Sequence, residues 1–302
     1  MKKILLCVLI AATAASAQLK VTAVEKLPLP SGGQWTCPVF SPDGKAVYFT
    51  NEAYEGIWKY SRTDNQVMQL TSDPQSGYGF TVSADGSQLA YRRTTYNSQT
   101  HERTQEAVVM NLATLSTRIA ARGTDVSTPV FAQSEPVVSV QGVVQAPKLA
   151  KTASAAVEVL GIENTKIALL KNGVKVTIDP LGNGSYIWPA LSPDRQKLAA
   201  YDMARGTFVC DLSGTVLARL GRRDGAVWTR DGRWLVYMND KDDGRKFTGS
   251  EICAVSADGA LTVELTATAD VMEMNPSCSA VENKIVCSGN GAIYVISYEE
   301  AQ

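Results

Sequence analysis

The chain is poor in the residues that build most catalytic and metal centres. One histidine, His101, occurs in 302 residues, inside the polar run Asn97-Ser98-Gln99-Thr100-His101-Glu102-Arg103-Thr104. A single imidazole cannot build a histidine-rich metal site, and a lone histidine in such a run reads as solvated. A Ser-His-Asp triad would need His101 beside an activated serine, and no G-x-S-x-G elbow occurs. Neither a Walker A sequence nor a G-x-G-x-x-G after a strand is present. No two cysteines form C-x-x-C, which excludes a zinc ribbon and a thioredoxin-like motif. Charge of one sign is also missing. Lys and Arg number 29 against 30 Asp and Glu, so the net charge of −1 gives no global field for DNA, RNA or anionic lipid.

Long apolar runs are missing as well. Met1-Lys2-Lys3 leads into an apolar stretch from Ile4 to Ala12 that is too short to span a bilayer. Small residues follow, ending Ala15-Ser16-Ala17 before Gln18. This pattern reads as a secretory signal peptide over residues 1–17, cleaved after Ala17. The expectation is a soluble periplasmic or secreted protein of residues 18–302, with no transmembrane segment. Five of the six cysteines lie beyond Ala17, so at least one thiol stays unpaired within a chain. Cys278 and Cys287 flank the short turn Val281-Glu282-Asn283-Lys284 and could form a disulfide, or could serve as two small buried side chains.

What the chain does have is a period. Its clearest copy is Cys37-Pro38-Val39-Phe40-Ser41-Pro42-Asp43-Gly44-Lys45-Ala46-Val47-Tyr48-Phe49. Further copies run Phe80 to Tyr91, Pro189 to Ala199 (without the glycine) and Val227 to Tyr237, with weaker ones at Pro129 and Pro276. In each, an apolar strand enters a turn and a second apolar strand returns. Pro fixes φ, Asp bonds the backbone ahead, and Gly supplies a positive φ. Four short strands per copy and six copies predict an all-β, six-bladed propeller, with a unit of about 47 residues. Radial closure leaves only short, protected edges. Lys20-Val21-Thr22-Ala23-Val24 has no blade of its own and is expected to pair with the last blade and fasten the ring. From Ser134 to Ile178 the punctuation fades, and the third blade is expected to be irregular there.

The Phe-Ser-Pro-Asp-Gly-Lys stretch at residues 40–45 resembles the signature of TolB-like, or WD40-like Asp-box (PD40), propeller repeats. The resemblance extends over nearly all of residues 18–302. It implies blade architecture and leaves function open, because such repeats occur in periplasmic scaffolds, in oligopeptidase propellers and in polysaccharide-degrading enzymes. TolB carries an α/β domain before its propeller, whereas only residues 18–34 precede the first blade here. No hydrolase domain follows residue 298, which argues against an oligopeptidase.

Propellers bind ligands through loops leading into each innermost strand, and the repeat register picks out those positions. Trp35, Tyr78, Tyr186 and Trp188, with Arg223, Asp224 and Glu273, are the candidate rim residues. Aromatic rings with a few charges suit a protein, peptide or glycan partner in the cell envelope. Wedging between blades as core is the alternative for the aromatics. The repeat aspartates Asp43, Asp85, Asp194 and Asp231 are explained by turn formation. The acidic loop Asp240, Asp242, Asp243 and Gly244 lacks the full calcium-loop pattern and reads as a solvated insertion in the fifth blade. The functional expectation is therefore an exported, non-catalytic binding propeller needing no cofactor. Its rival is a calcium- or manganese-dependent lyase or lactonase-like enzyme with channel carboxylates.

Overall fold

The computed structural model of the protein describes residues 18–132, 134–145 and 157–301. The signal-peptide expectation falls on residues 1–17 and lies outside them. The described chain forms seven small antiparallel sheets arranged as blades. The first strand, Gln18–Lys26 (β1), belongs to the last blade. Blade 1 is Trp35–Phe40 (β2), Ala46–Asn51 (β3), Ile57–Ser61 (β4) and Val67–Thr71 (β5). Blade 2 is Thr81–Val82 (β6), Gln88–Asn97 (β7), Glu102–Asn111 (β8) and Thr117–Gly123 (β9). Blades 3 and 4 show three strands each: Val130–Ala132 (β10), Glu135–Val140 (β11) and Val143–Gln145 (β12), then Glu158–Glu163 (β13), Lys166–Lys171 (β14) and Val174–Ile178 (β15). Blade 5 is Tyr186–Leu191 (β16), Lys197–Asp202 (β17), Gly206–Asp211 (β18) and Val216–Gly221 (β19). Blade 6 is Asp224–Trp228 (β20), Trp234–Asp242 (β21), Phe247–Ser256 (β22) and Thr262–Glu264 (β23). Blade 7 is Glu273–Cys278 (β24), Lys284–Gly289 (β25) and Ala292–Ala301 (β26), with β1 on its outer edge.

Seven blades correct the expected six, and the reason is local. The extra blade lies in the stretch between Ser134 and Ile178, which holds two short blades where one irregular one was expected. Blade 4 has no Pro-Asp-Gly turn. Its strands are joined by two-residue turns with positive φ at both positions, Asn164 (49°) with Thr165 (67°) and Asn172 (50°) with Gly173 (74°). Such turns match the twist of the flanking strands as well as the aspartate turn does. A repeat search keyed to aspartate passes over them.

The aspartate turns themselves form as their composition dictates. Ser41 Oγ donates to Asp43 Oδ1 (2.6 Å), which also accepts from the Lys45 amide (3.0 Å), while the Ala46 amide donates to Ser41 Oγ (2.8 Å). Ser83 with Asp85, Ser192 with Asp194, Thr229 with Asp231, and Ser256 with Asp258 repeat the hydroxyl–carboxylate bond. These are local side-chain substitutes for ladder bonds at a reversal.

Burial explains why the sheets assemble. The middle strands are apolar on both faces, so alternate residues enter two different seams. In β3, Val47 and Phe49 face blade 7, while Ala46 and Tyr48 face blade 2. Seven apolar clusters occupy the seven seams, one between each pair of neighbours. β1 pairs with β26 from Gln18↔Ala301 to Lys26↔Tyr294, and Leu19 is buried in the seam between blades 6 and 7. The first strands of successive blades touch around the ring, β24 with β2 and β20, β20 with β16, β16 with β13, β13 with β10, and β10 with β6. They form the channel wall.

Leu19→Ala is expected to lower unfolding stability by about 2–5 kcal/mol, the range for a buried leucine. Urea titration measures this, and a loss below about 0.5 kcal/mol would mean that β1 does not fasten the ring. The bonded Ser–Asp turns carry a pH signature. Their hydroxyl partners hold Asp43, Asp85, Asp194 and Asp258 below the ordinary carboxylate range. A depressed pKa stabilises the fold above the unfolded value and ceases to do so as pH falls through the folded one. The stability advantage of the wild type over Asp43→Asn should be constant above about pH 5 and shrink below about pH 4.

Candidate functional site: one mouth of the channel

The connections sort onto two faces. Inner-strand hairpins carry the aspartate turns on one face. The loops that enter inner strands lie on the other, beside the turns that join second to third strands. Their backbones bond directly: Gly77 N to Tyr54 O, Glu52 N to Gln34 O, and Met203 N to Ser185 O. This second face forms the mouth described below.

At the mouth the inner strands bulge in register. The pairing of inner to second strand slips between Thr36 and Val39, Ile187 and Ala190, Asp224 and Val227, and Met274 and Ser277. Within these slips Cys37 (φ 50°), Trp188 (51°), Gly225 (63°) and Asn275 (55°) are left-handed, and Gly79 (74°) holds the matching place before β6. For glycine this conformation costs nothing, but for a tryptophan it costs about 1–2 kcal/mol. Strain of this kind persists only where the surrounding structure enforces it, and it concentrates at functional positions.

The sequence-predicted rim residues divide by depth. Tyr78 and Trp188 stand on the mouth, 53% and 51% exposed. The Tyr78 ring meets Tyr54 edge-on at 5.3 Å and carries the Arg92 guanidinium 5.6 Å from its centroid. Trp188 meets Tyr201 edge-on at 5.7 Å. Arg223 lies over the Tyr237 ring at 4.8 Å. Trp35 packs edge-on against Phe49 and Trp58 and donates its indole N–H to Pro30 O, so it belongs largely to the seam between blades 7 and 1. Tyr186 is wholly buried; its hydroxyl donates to Asp179 (2.6 Å) and accepts from the Leu181 amide. Burial and that carboxylate push its phenol up to about 12.

The acidic candidates are engaged within the chain. Asp224 accepts from Arg222 Nε at 2.8 Å. Glu273 is buried; its Oε1 accepts from Thr268 Oγ1 (2.7 Å), and its Oε2 has no donor. Glu251 accepts from Thr266 Oγ1 and the Thr268 amide. Burial raises the Glu273 carboxyl above its ordinary range, and the Glu251 charge beside it adds to the rise. The acidic loop belongs to the sixth blade of seven. Asp242 accepts from Gly244 N, and Asp243 accepts from the Arg245 and Lys246 amides, so both shape the hairpin tip. The repeat aspartates sit on the opposite face, as turns. Cys278 lies opposite Ile285 and Cys287 opposite Tyr294, so the two do not pair across the hairpin, and both carry free thiols.

Three residues of the mouth escaped sequence reasoning. Hairpins β7–β8 and β21–β22 have strands of nine or ten residues, against five or six in most blades, and so stand above the mouth. They carry Tyr96 (62% exposed) and Phe247 (46%). His101 is at the tip of the first, its Nδ1 2.8 Å from Tyr96 Oη. Arg92, on β7, is the third. The wide gap between Leu89 and Val109 was the available signal for a long hairpin. Among the described residues all four aromatic side chains that are more than one-third exposed, Tyr78, Tyr96, Trp188 and Phe247, are on this face.

Comparison with solved structures places the chain among β-propellers. It is similar to the Cps50 (Swd1) β-propeller domain of Myceliophteria thermophila, with a TM-score of 0.59 and 10% identity over 93% of this chain and 99% of that one. It is also similar to a manganese complex of oligogalacturonate lyase (TM-score 0.51, 12% identity, 87% of this chain and 76% of that). The oligogalacturonate lyase of Vibrio parahaemolyticus gives 0.50 and 11%, over 86% of this chain and 76% of that. At such identities the likeness is one of fold. No family model and no curated protein sequence matches the chain.

Depth and strain predict opposite mutational outcomes at two neighbouring aromatics. Tyr186→Ala should cost about 3–5 kcal/mol, as for a large buried ring. Trp188→Gly removes an exposed ring and relieves its backbone, so stability should stay within about 1 kcal/mol of wild type. Equal losses for both in denaturant titration would contradict this division.

Proposed function

We propose that the protein is an exported, TolB-like Asp-box propeller that binds a partner protein or peptide across this mouth. The gathering of every strongly exposed aromatic side chain of the described residues onto one face carries the reading. Tyrosine, tryptophan and arginine dominate binding hot spots, and soluble proteins seldom leave such rings together in water without use. The strained Trp188 adds to it, because a left-handed tryptophan half in solvent contributes nothing to the core. Export rests on residues 1–17 and their signal-peptide pattern.

The rival reading is a metal-dependent lyase. The manganese-bound neighbour is an oligogalacturonate lyase. In this chain the only histidine is bonded to Tyr96 at a hairpin tip. Among the described residues no three His, Cys, Asp or Glu side chains converge as a ligand group. The donor set therefore favours binding over metal-assisted chemistry.

A photocrosslinking amino acid placed at 188 or 247 should capture one predominant species in the envelope of the producing cell, and at 217 or 281, away from the mouth, none. Equal capture at all four positions would remove the mouth as the binding face.

A further inference from the structure

The charges at the mouth are unequally used. Seven arginines of the described chain, Arg62, Arg93, Arg122, Arg195, Arg205, Arg222 and Arg233, each have a carboxylate within 4.0 Å. Of the other seven, Arg103, Arg118, Arg219, Arg230 and Arg245 are exposed to water, whereas Arg92 and Arg223 are half-buried. Each lies against a tyrosine face and gives one Nη1 bond to a carbonyl, Arg92 to Val126 and Arg223 to Arg222. In both, Nε is buried without a partner, and among the described residues Nη2 has none either. The arrangement is unusual energetically, since a half-buried guanidinium with no carboxylate within about 4 Å recovers only part of the hydration it gives up. Burial accordingly lowers the Arg92 pKa.

The carboxylates nearby are in the opposite condition. Asp202 accepts from Arg205 and three backbone amides, Asp73 from Tyr91 and Arg93, and Asp224 from Arg222. Ser250 Oγ lies 2.7 Å from both Asp240 Oδ1 and the Glu273 carbonyl. Apart from the buried Glu273 Oε2, which has no donor, these acceptors are engaged, while two donor forks are open. A neutral sugar would need free acceptors for its hydroxyls beside the rings, and these are scarce. An extended peptide with carboxylate side chains needs donors and apolar platforms, and the mouth supplies both.

Resting on the binding role proposed above, we infer that the ligand of the mouth is an acidic, aromatic-tolerant peptide segment, its carboxylates taken by Arg92 in blade 2 and Arg223 in blade 6. The two arginines stand in different seams, Arg92 reaching Val126 ahead of blade 3 and Arg223 accepting Thr207 of blade 5 at its carbonyl. A segment engaging both therefore crosses the channel, passing Tyr78 and Trp188.

The test measures binding of a fluorescent random copolymer of glutamate and tyrosine by anisotropy, beside a lysine–tyrosine copolymer and polygalacturonate. The glutamate copolymer should bind, with affinity falling as salt rises, and the lysine copolymer should not. Arg92→Gln and Arg223→Gln should each weaken binding about tenfold or more at an unchanged melting temperature. Binding of both copolymers alike, or arginine variants that bind as wild type, would overturn the inference. Polygalacturonate binding tighter than the glutamate copolymer and lost in the same variants would also overturn it, in favour of an anionic glycan. Crosslinking at 188 and 247 that persists in the arginine variants would sink the acidic ligand alone, leaving the binding face in place. Loss of mouth-specific crosslinking in the wild type would sink both.

Discussion

Two-sided burial of the middle strands is the constraint on which the rest depends. A sheet with one wet face can stand alone against a single partner, but β3, β14, β17 and β25 are buried on both faces. Each blade therefore requires two neighbours, and the requirement is met only when the ring closes. Seven seams hold seven clusters, so no apolar face is left over. β1 follows from the same demand, because blade 7 would otherwise lack its outer strand and Leu19 its seam. The number of blades is set by how many two-faced sheets the chain supplies, and the seam geometry then opens a channel as a by-product. The mouth is inherited from a packing problem solved elsewhere.

That origin explains how much of the fold was legible in residue order. The aspartate turns were visible because their chemistry is local: hydroxyl, carboxylate and glycine within six residues form the reversal by themselves. The closing strand was visible because it had no hairpin partner nearby. Blade count was misjudged because blade 4 turns on Asn164-Thr165 and Asn172-Gly173, a different solution to the same reversal. An Asn-Gly flanked by Ile167–Leu170 and Val174–Ile178 is itself a strong hairpin signal. It was hidden only by the expectation of a single motif.

The site was legible to a lesser depth. Repeat register located the mouth, since Tyr78 and Trp188 do stand on it. Register could not tell exposed from buried. Tyr186 and Trp188 are two residues apart on one strand, and strand periodicity gives them the same face. One is buried and the other half in water because the bulge at Trp188 breaks that parity. A left-handed residue is not announced by its neighbours, except where glycine takes the place, as at Gly79 and Gly225. Arg92 was missed for a different reason. It sits on a second strand, and its importance comes from what does not pair with it, which no sequence states.

The left-handed positions and the open arginines belong to one economy. A bulge in an inner strand tips the following residues towards the channel and exposes what the flat strand would have hidden. Where the tipped residue is glycine, the gain is shape alone. At Trp188 the chain keeps a large ring in a conformation glycine would hold more cheaply, and at Arg92 and Arg223 it keeps half-buried cations without anions. Each departure lowers the stability of the isolated protein by a modest amount, and all of them fall on the same mouth. The opposite face has strain of its own, with Leu115 (φ 59°) and Arg195 (φ 58°) left-handed and Arg195 Nε buried without a partner, but its arginine is paired with Glu158 and it carries none of the strongly exposed rings. There, aspartates and hydroxyls are matched within their own turns, and a cavity of about 410 Å³ is bordered mainly by aliphatic inner-strand residues such as Val130, Val159 and Leu191. The strongly exposed rings and the two half-buried arginines that lack a carboxylate lie on one face alone, and that asymmetry is the argument for where a partner lands.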